Sequence, residues 1–183
     1  GLFLRRGGVV ATRDSNQRVQ FLNDDNTSIA YNGPLLVLTS RFSASASEIL
    51  AGALKDYRRA IIVGADHTFG KGTIQIINEL PLRMGAIKVT TGMFFIPGGR
   101  STQHVGVSSD VALPSPLNNE EIGEIALDYA LPPQTVTPFV SPEANFPDSS
   151  LKWEPVEANI VQKLAARSAE RVNKDPKFDE IKK

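Results

Sequence analysis

Three serines alternate with alanines in the stretch RFSASASEIL, just before an apolar run with helical spacing: Ser43, Ser45 and Ser47. A serine hydroxyl becomes a nucleophile when a nearby base takes its proton. The same stretch has a structural interpretation, because Ser45 followed by Glu48 is the S-x-x-E pattern of a capping box at a helix start. Taken alone, the stretch favours a helix cap over a catalytic serine.

The chain offers two kinds of base for such a serine. It has two histidines, His67 and His104, and a Ser/His/Asp triad stays open because triads occur in several chain orders. Lys71, in TFGKGT, is the better candidate, although an exposed loop lysine is the ordinary alternative. A lysine acts as a base only after it loses its proton, which burial favours. Its neighbour Phe69 and the glycines on either side permit close packing.

A phosphate-binding loop is the rival interpretation of the GKGT segment. That motif is G-x-x-x-x-G-K-[ST], with a glycine five residues before the second glycine and a serine or threonine after the lysine. Here those two positions hold Ala65 and Gly72. The phosphate-loop interpretation fails on both counts.

The elements around the serines predict an α/β layer. Residues 35–40 and 60–64 are short apolar runs typical of strands covered on both faces. Between them, an apolar stripe at helical spacing predicts a helix: Ile49, Leu50, Ala53, Leu54 and Tyr57. Strand, helix and strand within about 30 residues form a right-handed crossover unit. The loops at the carboxyl ends of adjacent parallel strands lie side by side, so we expect Lys71 near the serines.

The remaining chain predicts further strands, a linker and a helix. Residues 8–12 and 18–22 are expected strands around a polar turn, residues 73–80 and 86–96 form a hairpin, and a short strand is expected near residues 105–107. Five prolines between residues 131 and 153 indicate a linker. A helix is expected over residues 155–173 and should stop before Pro176. These patterns divide the chain into residues 1–131, the main core, and 132–183, the linker and helical segment.

Composition excludes several classes of function. Twenty basic and twenty acidic side chains give no net charge, so nucleic acid is not an expected partner. The absence of cysteine excludes disulfides and thiolate metal sites. The apolar runs are too short to cross a bilayer, so no membrane span is expected.

Two segments, RFSASASEILAGALKDYRRAIIVG and TFGKGTIQ, resemble the carboxyl-terminal processing peptidases, and more narrowly their tail-specific protease branch. The similarity extends to GLFLRRGGVV, STQHVGVSSDVALPS and the R-x-x-x-D-P-x-F pattern near the end of the chain. The resemblance implies a crotonase-like α/β core and serine endopeptidase activity from a Ser/Lys dyad. It implies no metal or nucleotide cofactor.

The resemblance also implies a role for individual residues. The middle serine of the cluster, Ser45, corresponds to the nucleophile and Lys71 to the general base. Gln75 corresponds to the glutamine that orients the lysine, and the amide of Ala46 would donate to the oxyanion. A strand at this point would place Lys71, Thr73 and Gln75 on one face. Asp56 matches an acidic family position and is expected to be structural, paired with Arg59.

The sequence departs from the family in two respects. The loop before Lys71 is one residue longer, near Asp66 or His67, and a change of register there would make Ser47 the competing nucleophile. The family's oxyanion loop, its PDZ domain and its N-terminal region are expected before Gly1, which makes this chain a fragment of a larger protease.

The expected partners are proteins or peptides with apolar C-terminal tails, and the expected location is the periplasm of a Gram-negative bacterium. Two alternatives remain. One is an acyl-CoA enzyme on the same core, in which oxyanion amides act without a Ser/Lys pair. The other is a peptide-binding or scaffolding module that has kept the fold and lacks turnover.

Overall fold

The structure is a computed structural model that describes residues 1–119, 122–145 and 152–181. It contains two β-sheets, one antiparallel and one parallel, with helices packed against them. The strands and helices are β1 (Gly7–Asp14), β2 (Val19–Asp24), β3 (Leu36–Thr39), α1 (Ala46–Asp56), β4 (Ile61–Gly64), β5 (Thr73–Glu79), β6 (Ala86–Phe95), β7 (Val111–Ala112), α2 (Ala158–Lys174) and α3 (Pro176–Ile181).

The antiparallel sheet has the strand order β2-β1-β6-β5. Strands β1 and β2 form the expected pair around a polar turn, and β5 and β6 form the predicted hairpin, closed by the pairing of Glu79 with Ala86. Strand β6 joins the two hairpins because it also pairs with β1, where Ala11 lies opposite Phe95. The two strands expected around the polar turn and the predicted hairpin of β5 and β6 are therefore confirmed.

The parallel sheet has the order β3-β4-β7 and contains the predicted crossover unit. Strands β3 and β4 are parallel, with Leu36 opposite Ile61, and α1 connects them. Each strand ends where a candidate catalytic segment begins: the serine cluster follows β3, and the loop to Lys71 follows β4. The strand, helix and strand predicted from the sequence are confirmed.

The expected strand at residues 105–107 is wrong. The third strand of the parallel sheet is instead Val111–Ala112, which pairs with Val63 and Gly64 of β4. Gly106 has a left-handed backbone (φ +60°), and the Val107 amide donates to the Thr68 hydroxyl (2.8 Å). The apolar side chain of Val107 that suggested a strand is buried in the core without a ladder.

The expectation that β3 is covered on both faces is also wrong. Leu36 is 58% exposed and Leu38 is 79% exposed, whereas Val37 packs on the core. Among the described strands β3 pairs with β4 alone and lies at the sheet edge. A continuous apolar run does not distinguish an edge strand from a central one.

Helix α1 packs through a slightly different face from the predicted stripe. Leu50 is 50% exposed, whereas Ala51 and Gly52 are buried with Ala53 and Leu54. A Cβ on Gly52 would lie 2.7 Å from Cγ2 of Ile96, so the small side chain lets the helix approach the residue that follows β6. Close approach, rather than bulk, decides which residues of this helix are buried.

The described part of the proline-rich region packs against the core. Val136 and Phe139 cover a buried cluster of Ala11, Met93 and Phe95. Further along, Ala144 (1% exposed) and Trp153 (3% exposed) belong to the cluster that contains Leu4, Leu54 and Tyr57. Helix α2 follows and ends at Lys174, before Pro176, as predicted. Pro176 is also the first residue of α3, a short helix that the sequence analysis did not predict.

The expected pairing of Asp56 with Arg59 is wrong. Asp56 accepts from the Gly98 amide (2.7 Å) and lies 3.6 Å from Nη2 of Arg100. Burial raises the pKa of the Asp56 carboxyl, and the Gly98 hydrogen bond and the charge of Arg100 act in the opposite direction. These contacts attach the C-terminal end of α1 to the turn after β6.

Arg59 is instead buried among backbone carbonyl groups. It is 2% exposed, and its guanidinium donates to the carbonyl oxygens of Phe3 (3.0 Å), Gly33 (2.9 Å) and Tyr31 (2.7 Å). Desolvation lowers the pKa of Arg59. The planar, forked guanidinium holds three loop carbonyls together, which the single ammonium of a lysine cannot do with the same geometry.

We predict that Arg59→Lys destabilises the protein on the order of 2–4 kcal/mol, because buried carbonyl groups lose charge-assisted hydrogen bonds. Urea unfolding measures the change. Arg58→Lys is the matched control, since Arg58 is exposed, and should cost less than about 1 kcal/mol. Equal losses in the two variants would show that the Arg59 contacts add nothing.

Candidate active site

Ser45 occupies the sharp junction between β3 and α1. Its backbone has a positive φ (φ +56°, ψ −113°), which is unusual for a residue with a side chain. Strained serines on strand-to-helix turns are typical of nucleophiles held at the end of a sheet. The amide of Ala46, the first residue of α1, is one of those at a helix start that have no carbonyl partner within the helix.

The two neighbouring serines take part in local turns. The Ser47 hydroxyl donates to the carbonyl oxygen of Ala44 (2.7 Å). The Ser43 hydroxyl accepts from the Ser40 amide (3.1 Å). The Ser47 proton is therefore already directed at a backbone carbonyl oxygen.

Glu48 connects the turn at Ser45 to the loop at Lys71. Its side chain is 0% exposed. Oε2 accepts from the amides of Ser45 (2.8 Å) and Lys71 (2.9 Å), and Oε1 accepts from the Thr68 hydroxyl (2.5 Å) and the Gly70 amide (2.7 Å). One oxygen atom binds both the Ser45 and the Lys71 amides. The two backbones therefore lie within two hydrogen-bond lengths of each other.

The Glu48 half of the predicted capping box is present, because the Glu48 carboxylate reaches back and accepts from the Ser45 amide. Burial raises the pKa of Glu48, and the hydrogen bonds from Thr68, Gly70, Ser45 and Lys71 act in the opposite direction. The cap and the candidate site are thus one structure. The same carboxylate that starts α1 also binds the neighbouring loop.

The Lys71 amine points along β5, as the alternation of side chains predicted. Nζ donates to Oγ1 of Thr73 (3.1 Å) and to Oε1 of Gln75 (3.1 Å). Within the residues that the structure describes, Nζ makes these two hydrogen bonds and none to the Ser45 hydroxyl.

The glycines beside Lys71 allow close packing, also as the sequence predicted. A Cβ on Gly70 would lie 2.8 Å from the carbonyl carbon of His104, and one on Gly72 would lie 2.7 Å from the backbone nitrogen of Gln103. Gly70 also has a positive φ of 89°. The loop therefore lies directly on residues 103 and 104, and any larger residue would push it away.

Asp66, one of the two positions near which the sequence predicts an additional residue, is held by an ion pair. Arg41 binds the Asp66 carboxylate through Nε (2.8 Å to Oδ1) and Nη2 (3.0 Å to Oδ2). Arg41 lies in the segment before Ser45, and Asp66 in the segment before Lys71. The ion pair thus ties the loop before Lys71 to the serine turn, and the amide of Phe69 donates to the Ser43 carbonyl oxygen (3.0 Å).

The histidines have other contacts. Nδ1 of His67 lies 2.7 Å from the carbonyl oxygen of Thr68, and Nε2 lies 3.8 Å from the Asp66 carboxylate. Within residues 1–119, 122–145 and 152–181, neither His67 nor His104 hydrogen-bonds to a serine of the cluster. The same described ranges contain no group of three or more His, Asp or Glu side chains placed to hold a metal ion.

Sequence reasoning missed the residues that support the loop from behind. Thr68 donates to Glu48, Thr102 donates to the Lys71 carbonyl oxygen (3.0 Å), and Oε1 of Gln103 accepts from the Gly72 amide (2.8 Å). Thr102 and Gln103 lie about 30 positions after the loop that they contact. No local pattern in the sequence indicates such a partner.

Comparison with known proteins places the chain in a family. Residues 1–113 match Peptidase family S41, and the chain belongs to this family. The match contains the serine cluster, the Lys71 loop and the strands of both sheets.

Named relatives agree with this assignment. The chain is 37% identical to the tail-specific protease of Haemophilus influenzae over 97% of its length, and 41% identical to a carboxy-terminal-processing protease of Bartonella bacilliformis over 63% of its length. Among solved structures, a photosystem II D1 C-terminal processing protease is 40% identical, with a TM-score of 0.54 over 61% of this chain and 28% of that one. The chain spans 26% of the length of each of the two sequence relatives.

A structure titled as a lipoprotein from Streptococcus agalactiae is 15% identical, with a TM-score of 0.50 over 61% of this chain, and indicates a shared fold. In the part of the chain that the structure describes, no helix has the length and apolar character needed to cross a membrane.

We predict that Glu48→Gln destabilises the protein by about 2–4 kcal/mol. An amide replaces one acceptor oxygen by a donor group, which leaves two buried donors facing it. Urea unfolding measures the loss. Glu79→Gln is the matched control at an exposed position and should stay within about 0.5 kcal/mol of the unmodified protein.

Comparison of Glu48→Gln with the unmodified protein also tests the direction of the Glu48 pKa shift. Because the folded pKa lies above the unfolded value, this group contributes stability that is full below the unfolded pKa and is lost as pH rises through the folded pKa. The loss in free energy of unfolding caused by Glu48→Gln should therefore become smaller as pH rises from the unfolded to the folded pKa of Glu48. A deficit that widens with pH would mean that the four donors outweigh burial.

Proposed function

We propose that this chain is the catalytic part of a serine endopeptidase that cleaves proteins near their C-terminal tails by means of a Ser45/Lys71 dyad. The observation that carries the proposal is the hydrogen bonding of Glu48, whose Oε2 accepts from the amides of both Ser45 and Lys71. Membership of Peptidase family S41 supports the reaction class. The names of the relatives support action at C-terminal tails.

In the first step, the lone pair of neutral Lys71 takes the proton of the Ser45 hydroxyl. Thr73 and Gln75 accept the two remaining N–H bonds of the amine, so its lone pair is the free position. The Ser45 oxygen then attacks the carbonyl carbon of the scissile peptide bond. Gln75 and Thr73 act as positioning residues in this step, because they bind the lysine and not the substrate.

The tetrahedral intermediate carries its negative charge on the former carbonyl oxygen. The amide of Ala46 at the start of α1 is one donor to this oxygen, and the electrostatics of a helix start favour negative charge there. A glycine-rich loop upstream of this chain would supply the second donor. The intermediate collapses as the Lys71 ammonium returns its proton to the leaving amine.

The products of this step are a released C-terminal peptide and an acyl ester on Ser45. A water molecule then gives a proton to Lys71 and attacks the ester carbonyl carbon. Cleavage of the ester bond frees the new carboxylate and returns the proton to the Ser45 oxygen. No cofactor takes part in this proposed cycle.

The proposed substrates are proteins or peptides with apolar C-terminal tails, captured by an upstream PDZ domain. We place this chain in a larger protein because it covers 26% of the length of the Haemophilus relative. That relative comes from a Gram-negative bacterium, which supports the periplasm as the proposed location. A peptide-binding module without turnover is the alternative, because the oxyanion loop, like the PDZ domain, would lie outside this chain.

An acylating active-site probe separates the two functions, because a competent Ser45 forms a stable ester with it and a binding module does not. In the whole protein, labelling should map to Ser45. It should disappear in Ser45→Ala and persist in Ser47→Ala. Labelling that persists in Ser45→Ala would remove this residue as the nucleophile.

We predict that Lys71→Ala lowers cleavage of a peptide with an apolar C-terminal tail by at least about 10³-fold while the protein remains folded. The reason is that Ser45 loses its base. Lys88→Ala, on the exposed part of β6, is the matched control and should retain activity. Turnover retained in Lys71→Ala would exclude the dyad.

A further inference from the structure

The loop of Lys71 is held from behind by two buried side chains whose roles are not explained by the dyad. Gln103 is 0% exposed, and its Oε1 accepts from the Gly72 amide (2.8 Å). Its Nε2 lies 3.5 Å from Oε1 of Glu124, which is 7% exposed. The buried Gln103 amide therefore contacts the backbone next to the proposed base, and the buried Glu124 carboxylate lies next to that amide.

The contact fixes the orientation of the Gln103 amide. An amide has an acceptor end and a donor end, and only one arrangement satisfies both neighbours. With the oxygen toward the Gly72 N–H, the NH₂ group faces the Glu124 carboxylate. The reversed amide would place a donor against the Gly72 N–H and an oxygen against the carboxylate, so Glu124 selects the orientation that binds Gly72.

Gly72 lies between Lys71 and the start of β5, so its position sets the direction of the lysine side chain. Its amide is bound by Gln103, and its carbonyl oxygen accepts from the Phe94 amide (2.9 Å). Thr102 donates to the Lys71 carbonyl oxygen, which points away from the Gly72 N–H in the same trans peptide group. The peptide group that follows the lysine Cα is thus held at both ends by residues of another segment.

The segment that carries Glu124 also contacts the rest of the site. The Glu124 amide donates to the carbonyl oxygen of Phe69 (2.9 Å), and Nη1 of Arg41 donates to the Ile122 carbonyl oxygen (3.2 Å). Residues 122–124 therefore touch both the segment before Ser45 and the loop before Lys71. They lie beyond residues 1–113, the part of the chain that matches the peptidase family.

We propose that Gln103 is a positioning residue for Lys71, and that Glu124 orients it. The inference rests on the proposed function, since it assigns to these residues the placement of the base in the Ser45/Lys71 dyad. Both side chains are buried, away from solvent. The pair acts through the Gly72 amide, and its loss would turn the lysine away from the serine proton while leaving substrate binding in place.

The test exchanges the two groups in the whole protein and follows cleavage of a peptide with an apolar C-terminal tail. Gln103→Glu places two carboxylates against each other, and the repulsion should move the loop. We expect kcat to fall roughly 10- to 100-fold, as for small displacements of catalytic groups, with KM within about twofold. Gln162→Glu, on the exposed side of α2, is the matched control and should leave both constants unchanged.

The double variant Gln103→Glu/Glu124→Gln restores the pairing in reverse, because the carboxylate at 103 accepts both from Gly72 and from the new amide. Its kcat should return to within about threefold of the unmodified protein. A merely structural role predicts that kcat changes only with the fraction of folded protein, which circular dichroism measures on the same samples. If Gln103→Glu alone does not fold, a double variant that folds and regains kcat supports the pairing, and one that also fails to fold overturns it.

Two other results would overturn the inference. One is a kcat for Gln103→Glu within twofold of the unmodified protein, and the other is a folded double variant no faster than the single one. Lys71→Ala distinguishes this failure from failure of the proposed function. Cleavage that depends on Lys71 but not on Gln103 removes only the positioning role, whereas cleavage independent of Lys71 removes the dyad itself.

Discussion

A buried carboxylate is the constraint on which this site depends. An ionised group loses its hydration on burial, at a cost that is recovered only when hydrogen-bond donors surround it. Glu48 obtains its donors from the turn before α1 and from the loop after β4: the Ser45 amide on one side, and Thr68, Gly70 and Lys71 on the other. The parallel pairing of β3 and β4 is what brings these two segments to the same sheet edge. The hydrogen bonds to the Glu48 carboxylate therefore form only when the two segments of the site come together.

The remaining architecture supports this junction from several directions. The Arg41–Asp66 ion pair ties the two segments together at a second point, and the glycines of the Lys71 loop allow residues 103 and 104 to lie against it. The hairpin of β5 and β6 carries Gln75, whose side-chain oxygen accepts a hydrogen bond from the Lys71 amine. The site therefore draws on both sheets and on the segment around residue 124. A mutation far along the chain can therefore change the position of Lys71, the proposed base, without contacting it.

Local patterns in the sequence were sufficient for most of the helices and strands and for the residues with a fixed spacing, but not for the third parallel strand, which lies at Val111–Ala112 instead of residues 105–107. Alternation of side chains placed Lys71 and Gln75 on one face, and short apolar runs indicated the crossover unit. Contacts between segments far apart in the sequence determine the features that these patterns did not predict. The exposure of Leu38 follows from the edge position of β3, and Asp56 binds Gly98 and Arg100 instead of Arg59 because the turn after β6 lies beside the end of α1. The contact between Gln103 and Gly72 likewise joins segments that no spacing rule relates.

The most direct test of this account is amide hydrogen exchange in Glu48→Asp, a variant that keeps the charge and shortens the side chain by one methylene. The account predicts that the Ser45 and Lys71 amides lose protection together, since both depend on one carboxylate oxygen. The Ile62 amide, bound to Oδ2 of Asp110 (2.8 Å), should keep its protection. If the Ser45 amide loses protection while the Lys71 amide keeps that of the unmodified protein, Glu48 does not hold the two segments together, and the account is contradicted.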